Sequence, residues 1–309
     1  MSEMKLSSTA FDRAAHFLEH QARPLERARF RHHFAAGSGA AVVAALTPFQ
    51  NSDGGFGHGL EPDWNSPASS VLATTVALQM LRPLAGPETG AMIEAALGYL
   101  LGQFDGATSH WRIIPAASSA APHAPWWGQD EFPNRFDAFS LNPTAEVVAH
   151  LYEFGGAESA ELRESVLARV LDHLANASEI EMHDLLCCLR LHEAANLPGA
   201  ARQQVEAAIG RLAGGTVMTD PAGWSGYGLM PLQLVTAPDS PFMPGLEAAV
   251  AANLDHEISN QGEAGAWWPT WAWGEPFAAA WPAARQAWAG MLTLDRLLLL
   301  ARFGRLERG

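Results

Sequence analysis

The amino-acid sequence predicts an all-α protein built from stacked helical hairpins. Its long apolar segments have helical spacing, and no segment shows the strict alternation of a half-buried strand. These segments are separated by turns rich in glycine, proline and aromatic residues. One such turn recurs about every 40 to 50 residues, which is typical of helical-repeat proteins. The chain has 309 residues, 48% of them hydrophobic. We therefore expect a single domain over residues 1–309, made of about five or six hairpins whose apolar faces are buried by stacking.

The first third of the chain predicts five helices around one glycine-rich loop. Apolar spacing places these helices at 11–21, 25–34, 40–46, 71–84 and 88–104. Pro24 suits the first turn of the second helix, whose arginines form either a solvated face or a phosphate-facing surface. The fourth helix is apolar nearly all round, so we expect it to be buried on most sides. Ser66 or Ser69 is the predicted cap before it.

The stretch 107–141 contains many tryptophans and prolines and has no helical pattern. A loop of this length inside a compact domain is usually functional or disordered. Its aromatic content favours an ordered loop, which we expect to lie over a cavity mouth. Asn142 and Pro143 then provide a helix cap and a first helical residue. The remaining predicted helices follow at 158–175, 180–195, 200–212, 241–258 and 281–305.

The charge and cysteine content exclude several classes of partner and location. The net charge is −14, with 33 acidic and 19 basic residues, whereas nucleic acids and anionic lipids are bound by concentrated positive charge. The two cysteines are adjacent, so they form no disulfide framework, and this suits a reducing cytosol. Residues 1–10 lack an apolar signal core, and no apolar run is long enough to span a bilayer. We expect a cytoplasmic protein without nucleic-acid partners, and leave its oligomeric state open.

The recurring turn is clearest at 50–56, which reads Gln-x-x-Asp-Gly-Gly-Phe. Shorter versions begin at Gln103, Asp220 and Gln261, with one weakly marked unit between the turns at 103 and 220. The turn at 50–56 resembles the Gln-Trp repeat of squalene–hopene and oxidosqualene cyclases, and protein prenyltransferase β subunits have related turns. The resemblance implies an α/α toroid, in which inner and outer helices surround a central cavity, and an isoprenoid-like apolar ligand.

A second resemblance concerns the helix start at 140–146, which reads Ser-Leu-Asn-Pro-Thr-Ala-Glu. Class II cyclases have Asp-x-Asp-Asp-Thr-Ala or Asp-Cys-Thr-Ala-Glu at this place, and one of these aspartic acids protonates the substrate. Here the Thr-Ala-Glu part is shared, but Asn142 and Pro143 occupy the acidic positions. An amide supplies no proton for this step. The family's usual proton donor is therefore missing.

Two groups of acidic residues are candidates for replacing it. Glu61 and Asp63, with His58 nearby, follow the glycine-rich turn, and the other turns have no counterpart of this segment. Asp137 and Glu146 flank the helix start at 140–146. A carboxyl group acts as an acid when burial or a neighbouring carboxylate keeps it protonated. The alternative is structural, with Asp63 bonding turn amides and Glu61 capping a helix.

Aromatic residues are the candidates for binding a substrate. Aromatic faces stabilise cations, stack on sugar rings, or pack cores and anchor repeat turns, and the sequence leaves these roles open. The candidates are Trp64, Trp126, Trp127, Trp224, Tyr227, Trp267, Trp268 and Trp271.

The helix predicted at 180–195 contains the residues of a possible zinc site, which are His183, Asp184, Cys187, Cys188 and His192. His183 and Cys187, and also Cys188 and His192, are four residues apart, so each pair shares a helix face. The two pairs lie on different faces and do not serve one ion together. We therefore predict no metal and no cofactor, with zinc as an alternative.

Three functions are compatible with these observations. The first is a terpenoid-cyclase-like or prenyltransferase-like enzyme that uses acid chemistry in a Trp-lined cavity. The second is a carbohydrate-active hydrolase or lyase with paired carboxylates. The third is a toroid without catalytic activity that binds a ligand or a partner.

Overall fold

The computed structural model describes residues 3–84, 86–116, 120–130 and 134–307. This part of the chain is mainly helical, which confirms the all-α prediction. Its one sheet is a short antiparallel hairpin, which the sequence pattern did not predict, of β1 (Phe104–Asp105) and β2 (His110–Trp111). The helices are α1 (Ser8–His20), α2 (Pro24–Phe34), α3 (Gly39–Leu46), α4 (Val71–Leu81), α5 (Gly90–Gly102), α6 (Leu141–Phe154), α7 (Ala160–Asn176), α8 (Met182–Glu193), α9 (Gly199–Leu212), α10 (Pro231–Leu234), α11 (Glu247–Ser259) and α12 (Trp281–Arg302).

The chain forms two compact units. The terminal unit consists of Met1–Ala45 and Val217–Gly309, and the central unit consists of Leu46–Thr216. Each unit has its own buried residues and is described separately. The single domain and the toroid remain predictions.

Local capping explains where several helices begin. The Ser7 side chain accepts a hydrogen bond from the amide of Ala10, so α1 begins before the predicted residue 11. Ser70, rather than Ser66 or Ser69, caps α4 by accepting from the amide of Ala73. The predicted helix at 241–258 begins later, at Glu247, because the preceding residues form turns that include Gly245 at φ +86°.

Helix α6 lies at the centre of the central unit. It packs extensively against α8 and also contacts α4, α5 and α7. Its residues from Pro143 to Tyr152 are all buried, as expected for a helix surrounded by other helices. Polar side chains on α6 therefore face protein rather than bulk water.

In the terminal unit, α12 packs against α1 and α2. The two ends of the chain also pair, since the amide of Leu6 donates to Arg305 O and the amide of Glu307 donates to Leu6 O. The first and last helices of the chain are thus neighbours in this unit.

Arg29 and Arg31 of α2, and Arg23 just before it, are engaged in ion pairs, and Arg27 donates to the carbonyl of Glu19. Arg31 binds Glu19, Arg23 binds the fully buried Glu26 at 2.7 Å, and Arg29 lies 3.7 Å from Asp295. These contacts favour a structural role for the basic helix over a phosphate-binding role. Among the described residues, no helix has the length and apolar character needed to cross a membrane.

Candidate functional site

The glycine-rich turn at 50–56 fastens neighbouring segments of the central unit together. Gln50 Nε2 donates to the carbonyl oxygens of Gly54, at 3.0 Å, and Met92, at 3.3 Å. The amide of Phe56 donates to Thr74 Oγ1 on α4, at 3.0 Å. The turn therefore joins its own backbone to α5 and to α4.

The turn at 261–267 makes the same set of bonds in the terminal unit. Gln261 Nε2 donates to Gly265 O and to Ala10 O on α1, both at 2.9 Å. The amide of Trp267 donates to Thr293 Oγ1 on α12, at 3.1 Å. In both turns the glutamine, the bonded glycine and the aromatic residue have the same spacing. We call these two turns the glutamine clasps.

Each clasp requires glycine at its bonded position. Gly54 and Gly265 have φ values of +87° and +85°. A Cβ atom would lie 2.3 Å from Ala95 O at the first position and 2.4 Å from the carbonyl carbon of Arg13 at the second. The turns at Gln103 and Asp220 do not share this pattern, since the Gln103 backbone amide ends α5 and the Asp220 side chain accepts from Ala222.

The predicted acidic segment fastens the 107–141 loop through its backbone. Glu61 and Asp63 are buried, and the carbonyl of Asp63 accepts from the amide of Ala124 at 2.8 Å. Trp64 is also buried, and its ring lies 5.4 Å from the ring of His123. His58 is exposed, and its Nε2 lies 2.9 Å from Asn51 Oδ1. These contacts give the segment a role in positioning the loop.

A cavity lies between the 107–141 loop and the start of α6, with a volume of about 220 Å³. Trp64 packs with Ile113 and Ile114, and Trp127 and Phe136 pack against this cluster. The structure thus brings Trp64 and Trp127 together at one side of the cavity. We call it the aromatic cavity, and its lining residues are His110, Trp111, Ile113, Trp127, Arg135, Phe136, Ala138, Ser140 and Asn142.

Asp137 forms an ion pair with Arg112 on the same loop. Arg112 also donates to Gln129 and to the carbonyl of Ile114. The predicted catalytic residue Asp137 therefore takes part in a network that holds the loop together, and it is not among the residues that line the cavity.

Glu146 is the centre of a buried polar cluster on α6. Its Oε1 accepts from Gln79 Nε2 on α4 at 2.5 Å and lies 3.5 Å from His150 Nε2. Its Oε2 accepts from Arg190 Nη1 on α8 at 2.9 Å and from Cys187 Sγ at 3.7 Å. We call this group the Glu146 cluster.

The surroundings of Glu146 keep it ionised. Burial by itself raises the pKa of Glu146. The charge of Arg190 and the interactions with His150 and Gln79 outweigh this effect and lower the pKa to about 2. This value favours a fixed negative charge or a base over a proton donor. The predicted acid role of Glu146 therefore has no support from its surroundings.

Asp184 connects the Glu146 cluster with the aromatic cavity. Its Oδ1 accepts from the amide of Asn142 at 2.7 Å and from the Ser140 hydroxyl at 3.2 Å. Asn142 also receives a hydrogen bond from Cys187 Sγ at 3.6 Å. Burial raises the pKa of Asp184, although these two hydrogen bonds oppose the rise. The carboxyl groups of Glu146 and Asp184 thus have pKa values shifted in opposite directions.

The polar residues of α8 do not converge on one metal position. His183 contacts Glu181, and His192 contacts Glu206. Burial raises the pKa of both cysteine thiols, which disfavours the thiolate that zinc binds. Within the described part of the chain, no three His, Cys, Asp or Glu side chains have a metal-binding arrangement.

The other predicted aromatic residues lie elsewhere. Trp126 is on the 107–141 loop and is 36% exposed. The remaining five residues of the prediction, four tryptophans and one tyrosine, belong to the terminal unit. There Trp268 packs on Phe17 and lies under the guanidinium of Arg285, and Trp271 packs against Trp288. Trp224 and Trp267 are buried and Tyr227 is 68% exposed.

Sequence reasoning did not find the partners that define the site. Gln79 and Arg190 had no signal, since each is one polar residue on a mainly apolar helix. Asp184 was noticed only as a neighbour of the possible zinc ligands. No protein-family model matches the chain, and no significant match to a curated protein is found. The resemblance to cyclases and prenyltransferases therefore stays a prediction.

Proposed function

We propose that the chain is a terpenoid-cyclase-like enzyme that transfers protons to a small, largely apolar substrate in the aromatic cavity. One observation carries this proposal. The cavity has aromatic walls, and its Ser140–Asn142 side leads directly to two carboxyl groups whose pKa values are shifted apart. Such a pair is the usual arrangement of an acid and an ionised partner in one site.

In this proposal Asp184 supplies the proton and Ser140 carries it. Asp184 is the carboxyl group with the raised pKa, and it is bonded to the Ser140 hydroxyl. When Asp184 is protonated, its O–H donates to Ser140 Oγ in place of the hydrogen bond that Ser140 donates in the structure. The hydroxyl proton of Ser140 then passes to the substrate, the proton of Asp184 replaces it on Ser140, and Asp184 is left as a carboxylate. Glu146 stays a fixed negative charge balanced by Arg190. The faces of Trp127 and Phe136 stabilise positive charge that develops on the substrate.

The cavity volume limits the substrate. About 220 Å³ is below the roughly 300–1,000 Å³ of pockets for drug-sized ligands. A triterpene does not fit, so the proposal concerns short isoprenoids or molecules of similar size.

The carbohydrate alternative has less support at this cavity. Glycosidases place two carboxyl groups on opposite sides of the scissile bond. Among the described residues that line the cavity there is no aspartate or glutamate. The alternative of a binding protein without catalysis is distinguished by the following experiment.

The test is turnover of a panel of short isoprenoid alcohols and olefins in deuterated water. Products and deuterium incorporation are measured by mass spectrometry. We expect Asp184→Asn and Ser140→Ala to lower turnover by about 10²-fold or more, the usual contribution of a general acid. Asn at position 184 keeps the acceptor for the Asn142 amide, and Asp172→Asn on the exposed side of α7 is the control. Full activity of Asp184→Asn contradicts the assigned acid, and absence of turnover across the panel favours the binding protein.

A further inference from the structure

The unpaired polar groups of the aromatic cavity are hydrogen-bond donors. The indole N–H of Trp127 is buried and has no acceptor among the described residues. The guanidinium of Arg135 lies 5.3 Å from the centre of the Phe136 ring, and no described carboxylate pairs with it. Asn142 uses its side-chain oxygen for Cys187, and its amide NH₂ has no hydrogen bond to a described residue.

The imidazole and the hydroxyl beside these donors have partners within the protein. His110 Nε2 is 3.0 Å from the carbonyl oxygen of Phe136, so this nitrogen carries the proton and donates. His110 Nδ1 lies 2.7 Å from Thr108 Oγ1, whose hydroxyl donates to Asp105. The Ser140 hydroxyl donates to Asp184 Oδ1 at 3.2 Å. A ligand with oxygen acceptors therefore complements the cavity better than a pure hydrocarbon, which leaves the donors unpaired.

The charges at the cavity match a single negative charge. Arg112 is neutralised by Asp137, and the amide of Asn142 at the start of α6 is bonded to Asp184. This leaves the guanidinium of Arg135 as the positive group that lines the cavity. A carboxylate carries one negative charge and accepts two hydrogen bonds from a guanidinium fork, whereas a phosphate or diphosphate carries more charge.

We propose that the ligand of the aromatic cavity is a small carboxylic acid with an aromatic or branched apolar body. Its carboxylate binds Arg135 and the Trp127 N–H, and its body lies against the rings of Trp127 and Phe136. The inference rests on the proposed function in one respect, because it takes the same cavity as the substrate site. It adds the acidic group by which the ligand is recognised.

The probes are phenylacetate, its neutral analogue phenylacetamide, and phenyl phosphate. Binding to the full chain is measured by calorimetry, and contact with the cavity by the change in tryptophan fluorescence. We expect phenylacetate to bind about tenfold or more tightly than phenylacetamide, as a charge-assisted hydrogen bond provides. Arg135→Gln removes this preference. Arg169→Gln preserves it, because Arg169 lies over the Phe139 ring and outside the cavity lining.

Trp127→Phe is the second variant, since it keeps an aromatic ring and removes the N–H. We expect it to weaken phenylacetate binding and to leave phenylacetamide less affected. Equal binding of phenylacetate and phenylacetamide to the wild-type chain contradicts the inference while leaving the cavity as a substrate site. Tighter binding of phenyl phosphate than of phenylacetate also contradicts it. Absence of binding by all three probes contradicts both the inference and the assignment of the cavity.

Discussion

Replacing Arg190 by methionine tests whether the Glu146 cluster is held together by a buried ion pair. Glu146 is 3% exposed, and Arg190 on α8 places a formal positive charge 2.9 Å from its Oε2. Methionine keeps much of the apolar stem of arginine but removes the charge. The variant therefore leaves a buried carboxylate whose remaining contacts are Gln79, Cys187 and His150.

The expected loss follows from the pKa of Glu146. This pKa is about 2, against 4.5 for an unperturbed glutamate. A difference of this size corresponds to about 3 kcal/mol in favour of the ionised form in the folded protein. Breaking a buried pair by removing one partner costs about 3–5 kcal/mol. Because the Arg190 side chain is 34% exposed, we expect a loss near the lower end, about 3 kcal/mol.

The pH dependence has a defined sign. A lowered pKa in the folded state means that the stabilisation by Glu146 is complete above pH 4.5 and is lost as the pH falls towards 2. In Arg190→Met, burial raises the pKa of Glu146 because the opposing charge is gone. The difference in stability between the wild type and the variant should therefore be large at pH 7 and should shrink at pH 3.

The assay is urea unfolding followed by circular dichroism at both pH values. Glu146→Gln/Arg190→Met should be more stable than Arg190→Met alone, because no unpaired charge remains buried. Arg169→Met is the control, since it removes an exposed cation–π contact worth about 0.5–1 kcal/mol. A loss below about 0.5 kcal/mol in Arg190→Met, or no recovery in the double variant, would refute the buried ion pair.

Three further predictions concern the clasps and the cysteines. Gly54→Ala and Gly265→Ala should each lower the free energy of unfolding in urea by about 2–4 kcal/mol, since alanine is strained at positive φ and meets backbone atoms. The control Gly210→Ala, whose Cβ meets no atom within 4 Å, should be neutral or stabilising. Gln261→Leu should lower the free energy of unfolding by about 1–3 kcal/mol in the same measurement, since two backbone carbonyls lose their donor. Unchanged stability would contradict a stabilising role of this glutamine clasp. Cys187 and Cys188 should resist alkylation by iodoacetamide at pH 8 until urea unfolds the chain, because burial raises their thiol pKa values; rapid labelling of the native protein contradicts this.

The helices and the first clasp were predictable because their signals are local. Apolar spacing defines a buried helix face within a few turns, and capping residues mark helix ends within one turn. The sequence permits positive φ at Gly54, Gly55, Gly57 and Gly59, and the structure uses it at Gly54 and Gly59. The clasp partners on α5 and α1 were not predictable, because they are distant along the chain.

The sequence by itself determined the all-α class and most helix positions, and it made Glu146 and Trp127 candidates. The tertiary structure alone decided which groups surround these side chains. Glu146 reads as a candidate acid in isolation, but Arg190 from α8 and Gln79 from α4 keep it ionised. Asp184, which the sequence presents as a neighbour of possible zinc ligands, is placed by the packing of α8 on α6 beside Ser140 and Asn142. The protonation of a side chain depends on the residues of the helices packed around it. The spacing of apolar residues along one helix does not show which residues of other helices these are.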